Sequence, residues 1–279
     1  MDLNTITEIA RPRSRADLPK WTAGDAWLAG GTWLFSEPQP QLSRLVDLND
    51  LHWPALTISD QGLEIAATCT IAELNALSSA SVATSQWRAA PLFEQCCKAF
   101  LASFKIWKTA TVGGNLCMSL PAGPMTSLTA ALDGTCTLWA PDGGERRIKV
   151  IDFITGAQRN VLAAGELLRK IELPVAALKA RTAYRQISLT LVGRSAALLI
   201  GTSTADGPAL LLTITASTVR PIQLSFDTMP TAAALRQLLL DEIPDGLYHT
   251  DVHGKPAWRK EMTLRLAEEI RAELSDGAP

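Results

Sequence analysis

The sequence predicts an α+β protein in two parts, and three observations carry that reading. The first quarter is a run of short apolar strands broken by turn residues. After Pro174 the pattern changes to a pair of strands followed by two helices. The length, 279 residues, suits about two domains at roughly 150 residues each. The boundary is expected near 174–181. This gives a first domain over 1–175, with subdomains of about 1–54 and 55–175. A smaller C-terminal α+β domain with an antiparallel sheet and helices follows over 176–279.

Taken in order, Ala26-Trp27-Leu28-Ala29 is an apolar strand running into Gly30-Gly31, and Leu45-Val46-Asp47-Leu48 is a second. Leu56-Thr57-Ile58 and Leu63 to Ala67 form a hairpin across Asp60-Gln61-Gly62. Thr70 caps a helix from Ile71 to Leu77, with Glu73 placed for a capping box. Pro91 opens a helix to about Phe104, its apolar face made of Leu92, Phe93, Cys96, Cys97, Phe100 and Leu101. Thr111 to Asn115 is a Gly-rich turn. A short helix over Met125 to Leu132 comes next, then strands over Thr135 to Ala140, Ile148 to Ile151 and Leu167 to Leu173. Beyond Pro174, Ala196 to Thr202 and Leu210 to Ala216 are strands joined across Asp206-Gly207-Pro208. Thr231 to Leu240 is a helix. Pro256 to Leu274 is another, with Trp258, Met262, Leu266, Ile270 and Leu274 as its apolar stripe and Arg259, Lys260, Glu261, Glu268, Arg271 and Glu273 on an outer face that is either solvated or the rim to a partner.

Composition removes several function classes. Apolar residues make up 47% and charged residues 19%, which is globular rather than disordered or collagenous. Net charge is −2, from 26 basic and 28 acidic residues. A chain held to nucleic acid or an anionic membrane shows a basic excess or stripe, and none is present. No apolar run reaches 18 residues and no signal-type opening is seen, so a cytoplasmic protein is expected. The five cysteines form no C-x-x-C pair, which excludes zinc-ribbon and iron–sulfur spacing; buried, reduced thiols are expected. His249 and His253 stand four apart, but Gly254 and Pro256 follow and no glutamate intervenes. A loop is expected there, not a metal pair. There is no G-x-S-x-G, no Walker motif, no H-E-x-x-H and no G-x-G-x-x-G.

What remains is a pair of diglycine segments, Ala29-Gly30-Gly31-Thr32-Trp33-Leu34 and Thr111-Val112-Gly113-Gly114-Asn115. Without Cβ atoms the glycines can turn at positive φ and admit a ligand to the main chain. Successive N–H groups then converge into an anion-favouring nest. Two such loops facing each other could hold a pyrophosphate without Lys or Arg.

The order of these pieces resembles the FAD-binding (medium) subunit of the molybdenum hydroxylases, the family of xanthine dehydrogenase and aerobic carbon monoxide dehydrogenase. Leu28-Ala29-Gly30-Gly31-Thr32 followed by Leu45-Val46-Asp47-Leu48 is similar to the family's LAGGT…LVD(I/L). Leu63 to Thr70 with Leu74 resembles its L-x-I-G-A-x-x-T-x-x-x-L. Ala110 to Asn115 with Pro121-Ala122 resembles ATIGGN…SPA. Asp152-Phe153, Gly156, Leu162, Gly165 to Leu168 and Ile171 to Pro174 follow the next stretch, and His253 with Ala257-Trp258-Arg259 resembles a late H-x-S-x-x-Y-R-R. The chain departs from the pattern at Trp33, at Ile106-Trp107-Lys108-Thr109 (family IRNR) and at Pro124, where an aspartate is common. It departs again at Leu189, Thr190 and Val192, where charges are common.

The resemblance implies a two-part FAD-binding domain of the vanillyl-alcohol-oxidase/PCMH type. It implies non-covalent FAD, since no histidine adjoins either loop. Ala29, Gly30, Gly31, Thr32, Trp33 and Leu34 with Thr111, Val112, Gly113, Gly114 and Asn115 would wrap the pyrophosphate and ribityl. Leu168 would pack beside the nucleotide and Arg185 would lie near the flavin ring. No catalytic residue and no metal are expected on this chain. A large partner subunit would hold the molybdenum cofactor and a small one two [2Fe–2S] clusters, and the complex would be a dimer of heterotrimers. Electrons would pass from the clusters through FAD to an external acceptor. Two alternatives stay open: a flavin-poor or flavin-free interaction subunit of the same fold, motivated by Pro124 and the missing charges, and a stand-alone flavin oxidase, for which 279 residues leave little room.

Overall fold

The computed structural model of the chain describes residues 3–77, 86–204 and 207–276. Three parallel strands, β1 (Glu8–Ala10), β2 (Asp25–Leu28) and β3 (Arg44–Asp47), open the architecture in the order β1-β3-β2. Parallel neighbours require a crossover. The one from β2 to β3 carries Gly30-Gly31 at the carboxyl end of β2, where ligands gather in open parallel sheets. A bidentate pair fixes the small sheet: Arg44 donates through Nε and Nη2 to the buried Asp25 carboxylate at 2.9 and 2.6 Å.

This lobe sits on the next through an aromatic seam. Trp21 and Trp27 stack at 4.6 Å between ring centroids, and Trp27 Nε1 donates to Glu166 O at 2.9 Å. Trp53 meets Trp139 edge-on at 5.5 Å. Arg169 lies 4.1 Å over Trp53 and Arg15 lies 4.5 Å over Trp139. Cation–π pairs of this kind add about 0.5–2 kcal/mol each to the area they bury.

The second lobe is built on a five-stranded antiparallel sheet in the order β4-β5-β10-β6-β7. Its strands are β4 (Leu56–Ser59), β5 (Gly62–Ala66), β6 (Thr135–Trp139), β7 (Glu145–Lys149) and β10 (Leu167–Pro174). The expected hairpin is β4–β5. Helix α1 (Ile71–Ala76) starts with the expected capping box, the Thr70 side chain accepting from Glu73 N and Glu73 accepting from Thr70 N. The helix expected from Pro91 to Phe104 is shorter. It is α2 (Ala90–Ala99), ended where Phe100 leaves helical ψ, and α3 (Phe104–Trp107) begins afresh after an extended Ser103. Trp107 Nε1 donates to Phe100 O across the break. Leu101 consequently stands exposed rather than on a buried face.

The Gly-rich segment expected as a turn is instead the first turn of α4 (Val112–Met118), with Thr111 as N-cap. Helix α5 (Pro124–Ala131) is buried along its whole length. The strand expected at Ile148 to Ile151 lies earlier, as β7. Val150 and Phe153 instead bury themselves from the short helix α6 (Val150–Phe153). The hairpin β8 (Ile154–Gly156) and β9 (Arg159–Asn160) and the helix α7 (Val175–Leu178) complete the lobe.

The third lobe is an antiparallel sheet in sequential order, β11 (Arg181–Ile187), β12 (Ala197–Ser203), β13 (Leu210–Thr215) and β14 (Ile222–Phe226). The expected strand pair is β12–β13; Asp206 of the expected turn lies outside the described residues. Both faces are covered. Leu198, Ile200 and Ala216 join the second lobe's core, whereas Ala197 and Leu199 join a core shared with α8 (Ala232–Glu242) and α9 (Pro256–Asp276). The stripe expected on α9 is buried at Leu266, Ile270 and Leu274 but only half-buried at Trp258 and Met262. The expected outer face is wrong at Arg259, which is 1% exposed.

Two buried carboxylates make folding sensitive to acid. Hydrogen bonds from Arg44 hold Asp25, and those from Arg146 hold Glu166, below the ordinary carboxylate range. A depressed folded-state pKa contributes stability that is complete at neutral pH and is lost as pH falls through that value. The urea midpoint is therefore expected to drop between pH 7 and pH 3, and to drop less in the Asp25→Asn, Glu166→Gln double variant. Equal slopes in the two proteins would refute this assignment.

Candidate functional site

The three lobes meet around a cleft of about 650 Å³, the size of a small-molecule or cofactor site. The first lobe brings Trp27 and Ala29 to Leu34, and the second brings Thr111, Gly114 and Asn115 with Pro121 to Pro124. The α2–α3 connection adds Phe100, Leu101 and Ala102, and α3 adds Ile106, together an apolar wall.

The first diglycine has the properties its composition suggests. Gly31 sits at φ +67°, the left-handed region that favours glycine, and a Cβ there would press on the Phe35 ring. A Cβ on Gly30 would fall onto the carbonyl oxygen of Thr109, because the loop lies flat on the 109–110 backbone. Phe35 N donates to Gly31 O at 2.9 Å, closing a single α-turn. The amides of Gly30 to Leu34 donate to no other described residue. They are a run of donors without a described partner in a segment that lines the cleft, the donor set from which an anion-favouring nest is built.

The second diglycine borders the same cleft but differs in chemistry. Its amides are all engaged: Val112 N with Cys69 O, Gly113 N with Ala67 O, Gly114 N with Thr111 Oγ1 and Asn115 N with Thr111 O. It is no second nest, which corrects the expectation of two opposed amide cradles. Gly113 is required because a Cβ would come within 2.6 Å of the Ala67 main chain, so α4 could not start flush against the end of β5. Val112 and Gly113 are buried behind the wall. What this segment offers is the Asn115 side chain. Its Oδ1 accepts from Met125 N at 3.1 Å, which leaves its amide NH₂ to face the cleft.

Two further expected residues lie elsewhere. Leu168 is 1% exposed, paired with Leu138 in the sheet core. Arg185 points along β11 to α9, with Nε 3.0 Å from Glu269 and Nη2 2.7 Å from Glu273. Neither lines the cleft.

Residues that sequence reasoning missed close the cleft from the third lobe: Arg194, Ser195, Ala216, His249, Asp251 and Arg259. The Arg259 guanidinium donates to Gly254 O, Ala196 O and Ala216 O and pairs with Asp251. It ties α9 to the ends of β12 and β13. His249 Nε2 lies 3.4 Å from Asp251. Burial, opposed by Asp251 and aided by the Arg259 charge, lowers the His249 pKa. The late motif containing Arg259 was the available signal; its burial was not readable from one helix. The Cys117 thiol also borders the cleft, and burial pushes it up to about 12. Among the described residues no group of three or more His, Cys, Asp or Glu side chains could share a metal ion, and no helix is long and apolar enough to cross a membrane.

The sequence profile of the FAD binding domain in molybdopterin dehydrogenase matches residues 6–176. The caffeine dehydrogenase subunit beta of Pseudomonas sp. (strain CBB1) is 32% identical over 88 residues, 32% of this chain and 30% of that protein. Xanthine dehydrogenase 1 of Arabidopsis thaliana is 28% identical over 127 residues, 43% of this chain and 9% of that protein. The chain thus aligns with less than a third of the length of either relative. Quinoline 2-oxidoreductase from Pseudomonas putida 86 has a chain of the same fold, with TM-score 0.77, 19% identity, and coverage of 100% of this chain and 99% of that one. CO dehydrogenase from Oligotropha carboxidovorans gives TM-score 0.78, 21% identity, and coverage of 98% and 99%. With the profile spanning more than half of its length, the chain belongs to the family of FAD-binding domains of molybdopterin dehydrogenases.

Proposed function

We propose that the chain binds FAD non-covalently in this cleft and serves as the electron-transfer subunit of a multi-subunit molybdenum hydroxylase. The observation that carries the reading is the run of unpaired amides from Gly30 to Leu34, a donor set without cations whose glycines leave no room for side chains. Those amides suit a diphosphate. The Asn115 NH₂ adds a donor from the facing wall. Thr111 and Gly114 supply the floor, while Val112 and Gly113 hold that floor in place from behind. Ala29 and Leu34 flank the nest, and Trp33 with the Phe100–Ile106 wall offers apolar surface to a flat ring. Bound FAD would supply reversible two-electron chemistry. The protein's share is to place the ring, exclude water and set its electrostatics.

In this reading a small partner subunit with [2Fe–2S] clusters delivers electrons, a large partner holds the molybdenum cofactor, and an external acceptor drains the flavin. We place the complex in the cytoplasm as a dimer of heterotrimers. We place the FAD-binding domain over 1–175 and the C-terminal domain over 176–279. One observation favours the alternative of a flavin-poor interaction subunit: the second diglycine has no free amides, and Pro124 offers no acceptor at the start of α5.

The test is the visible spectrum of the purified full chain and of any complex that co-purifies with it. A yellow protein that releases FAD on heating is the expected result. A colourless chain that takes up no added FAD yet still assembles with partners would decide for the alternative.

A further inference from the structure

The third-lobe wall of the cleft carries two neighbouring hydrogen-bond donors that the reading above leaves without a task. Gly193 N donates to Thr190 O at 2.9 Å, closing a tight turn, and Ala196 N rejoins the sheet by donating to Ile187 O at 2.8 Å. Arg194 and Ser195 are held between these two anchors, and both line the cleft. Arg194 is exposed, and no described carboxylate pairs with it. The other arginine on the cleft, Arg259, is fully committed to three carbonyls and Asp251. Ser195 is 2% exposed. A relay sets its polarity: Tyr184 OH donates to Gln186 Oε1 at 2.8 Å, and Gln186 Nε2 donates to Ser195 Oγ at 2.8 Å. With its oxygen engaged as an acceptor, the Ser195 hydroxyl has its proton left to give, and no described protein group takes it.

A cation beside a hydroxyl with its proton to give treats the two halves of FAD differently. Adenine offers such donors only ring nitrogens and keeps its charge, whereas the pyrimidine edge of the flavin offers two carbonyl oxygens and gains charge on reduction. Reduction sharpens the difference. Two electrons and one proton at N5 convert oxidised flavin to an anion whose charge collects along N1–C2=O, and a nearby cation favours that form.

Resting on the FAD reading, we propose that Arg194 and Ser195 receive the pyrimidine carbonyl edge of the flavin and bias the site toward its reduced form.

The experiment measures FAD affinity by equilibrium dialysis, and the two-electron midpoint potential by dithionite titration, in the full chain and its variants. Arg194→Gln is expected to change the affinity for oxidised FAD less than about threefold while lowering the reduced-to-oxidised affinity ratio about tenfold, a fall of about 30 mV for a two-electron couple. Arg194→Lys should restore most of the potential, and Ser195→Ala should lower it by a smaller step. An unchanged potential in Arg194→Gln overturns the assignment. So does equal weakening of both redox forms, which would place Arg194 on the diphosphate; in either case FAD binding itself still stands. A wild-type chain that binds no FAD overturns both readings together.

Discussion

Arg259→Leu is expected to destabilise the protein by about 3–5 kcal/mol, the usual result of removing one partner from a buried ion pair. The leucine would keep the packing volume but leave the carbonyls of Gly254, Ala196 and Ala216 without their donor and Asp251 without its cation. For a chain of this size the thermal midpoint should fall by roughly 10 °C. The comparison variant is Lys260→Ala, one residue along the same helix. Its partner Asp245 is 82% exposed, and loss of such a pair changes stability by about 0–1 kcal/mol. Equal midpoints for the two variants in differential scanning calorimetry would show that the buried guanidinium is not what holds α9 to the sheet.

Gly30→Val is expected to abolish flavin retention, weakening it by about a hundredfold or more, while leaving the circular dichroism spectrum native. The added carbons collide with the Thr109 carbonyl. Main chain cannot step aside as a side chain can, so the loop must lift away and carry its free amides with it. A hundredfold loss corresponds to about 2.7 kcal/mol, within reach of several charge-assisted bonds at about 1.5–3 kcal/mol each. Gly114→Ala offers the contrast: its Cβ meets only the Thr111 hydroxyl, at 2.9 Å, and a much milder loss should follow. Retention of flavin by Gly30→Val would detach the first diglycine from the diphosphate.

Local chemistry was the legible part of this molecule. Strands β2, β3 and the β4–β5 hairpin announce themselves through apolar runs ended by Gly, Asp and Asn. The Thr70–Glu73 box marks a helix start by side-chain chemistry alone. Illegible features depend on carbonyls far away in sequence. The second diglycine reads as a turn until Ala67 and Cys69 are seen to accept its amides. Arg259 reads as a solvated helix residue until the ends of β12 and β13 converge on it. Strand β11 escaped notice because its polar residues, including Arg185, answer to acids on α9. The family pattern placed Arg185 near the ligand; the ion pairs with Glu269 and Glu273 direct it elsewhere.

The tryptophan seam has an optical consequence. Trp27 and Trp33 border the cleft, while Trp21, Trp53 and Trp139 line the joint just behind it. Indole emission overlaps the near-ultraviolet absorption band of a flavin. The chain therefore carries its own fluorimeter, dimming as the chromophore docks and brightening as it leaves, with no label attached.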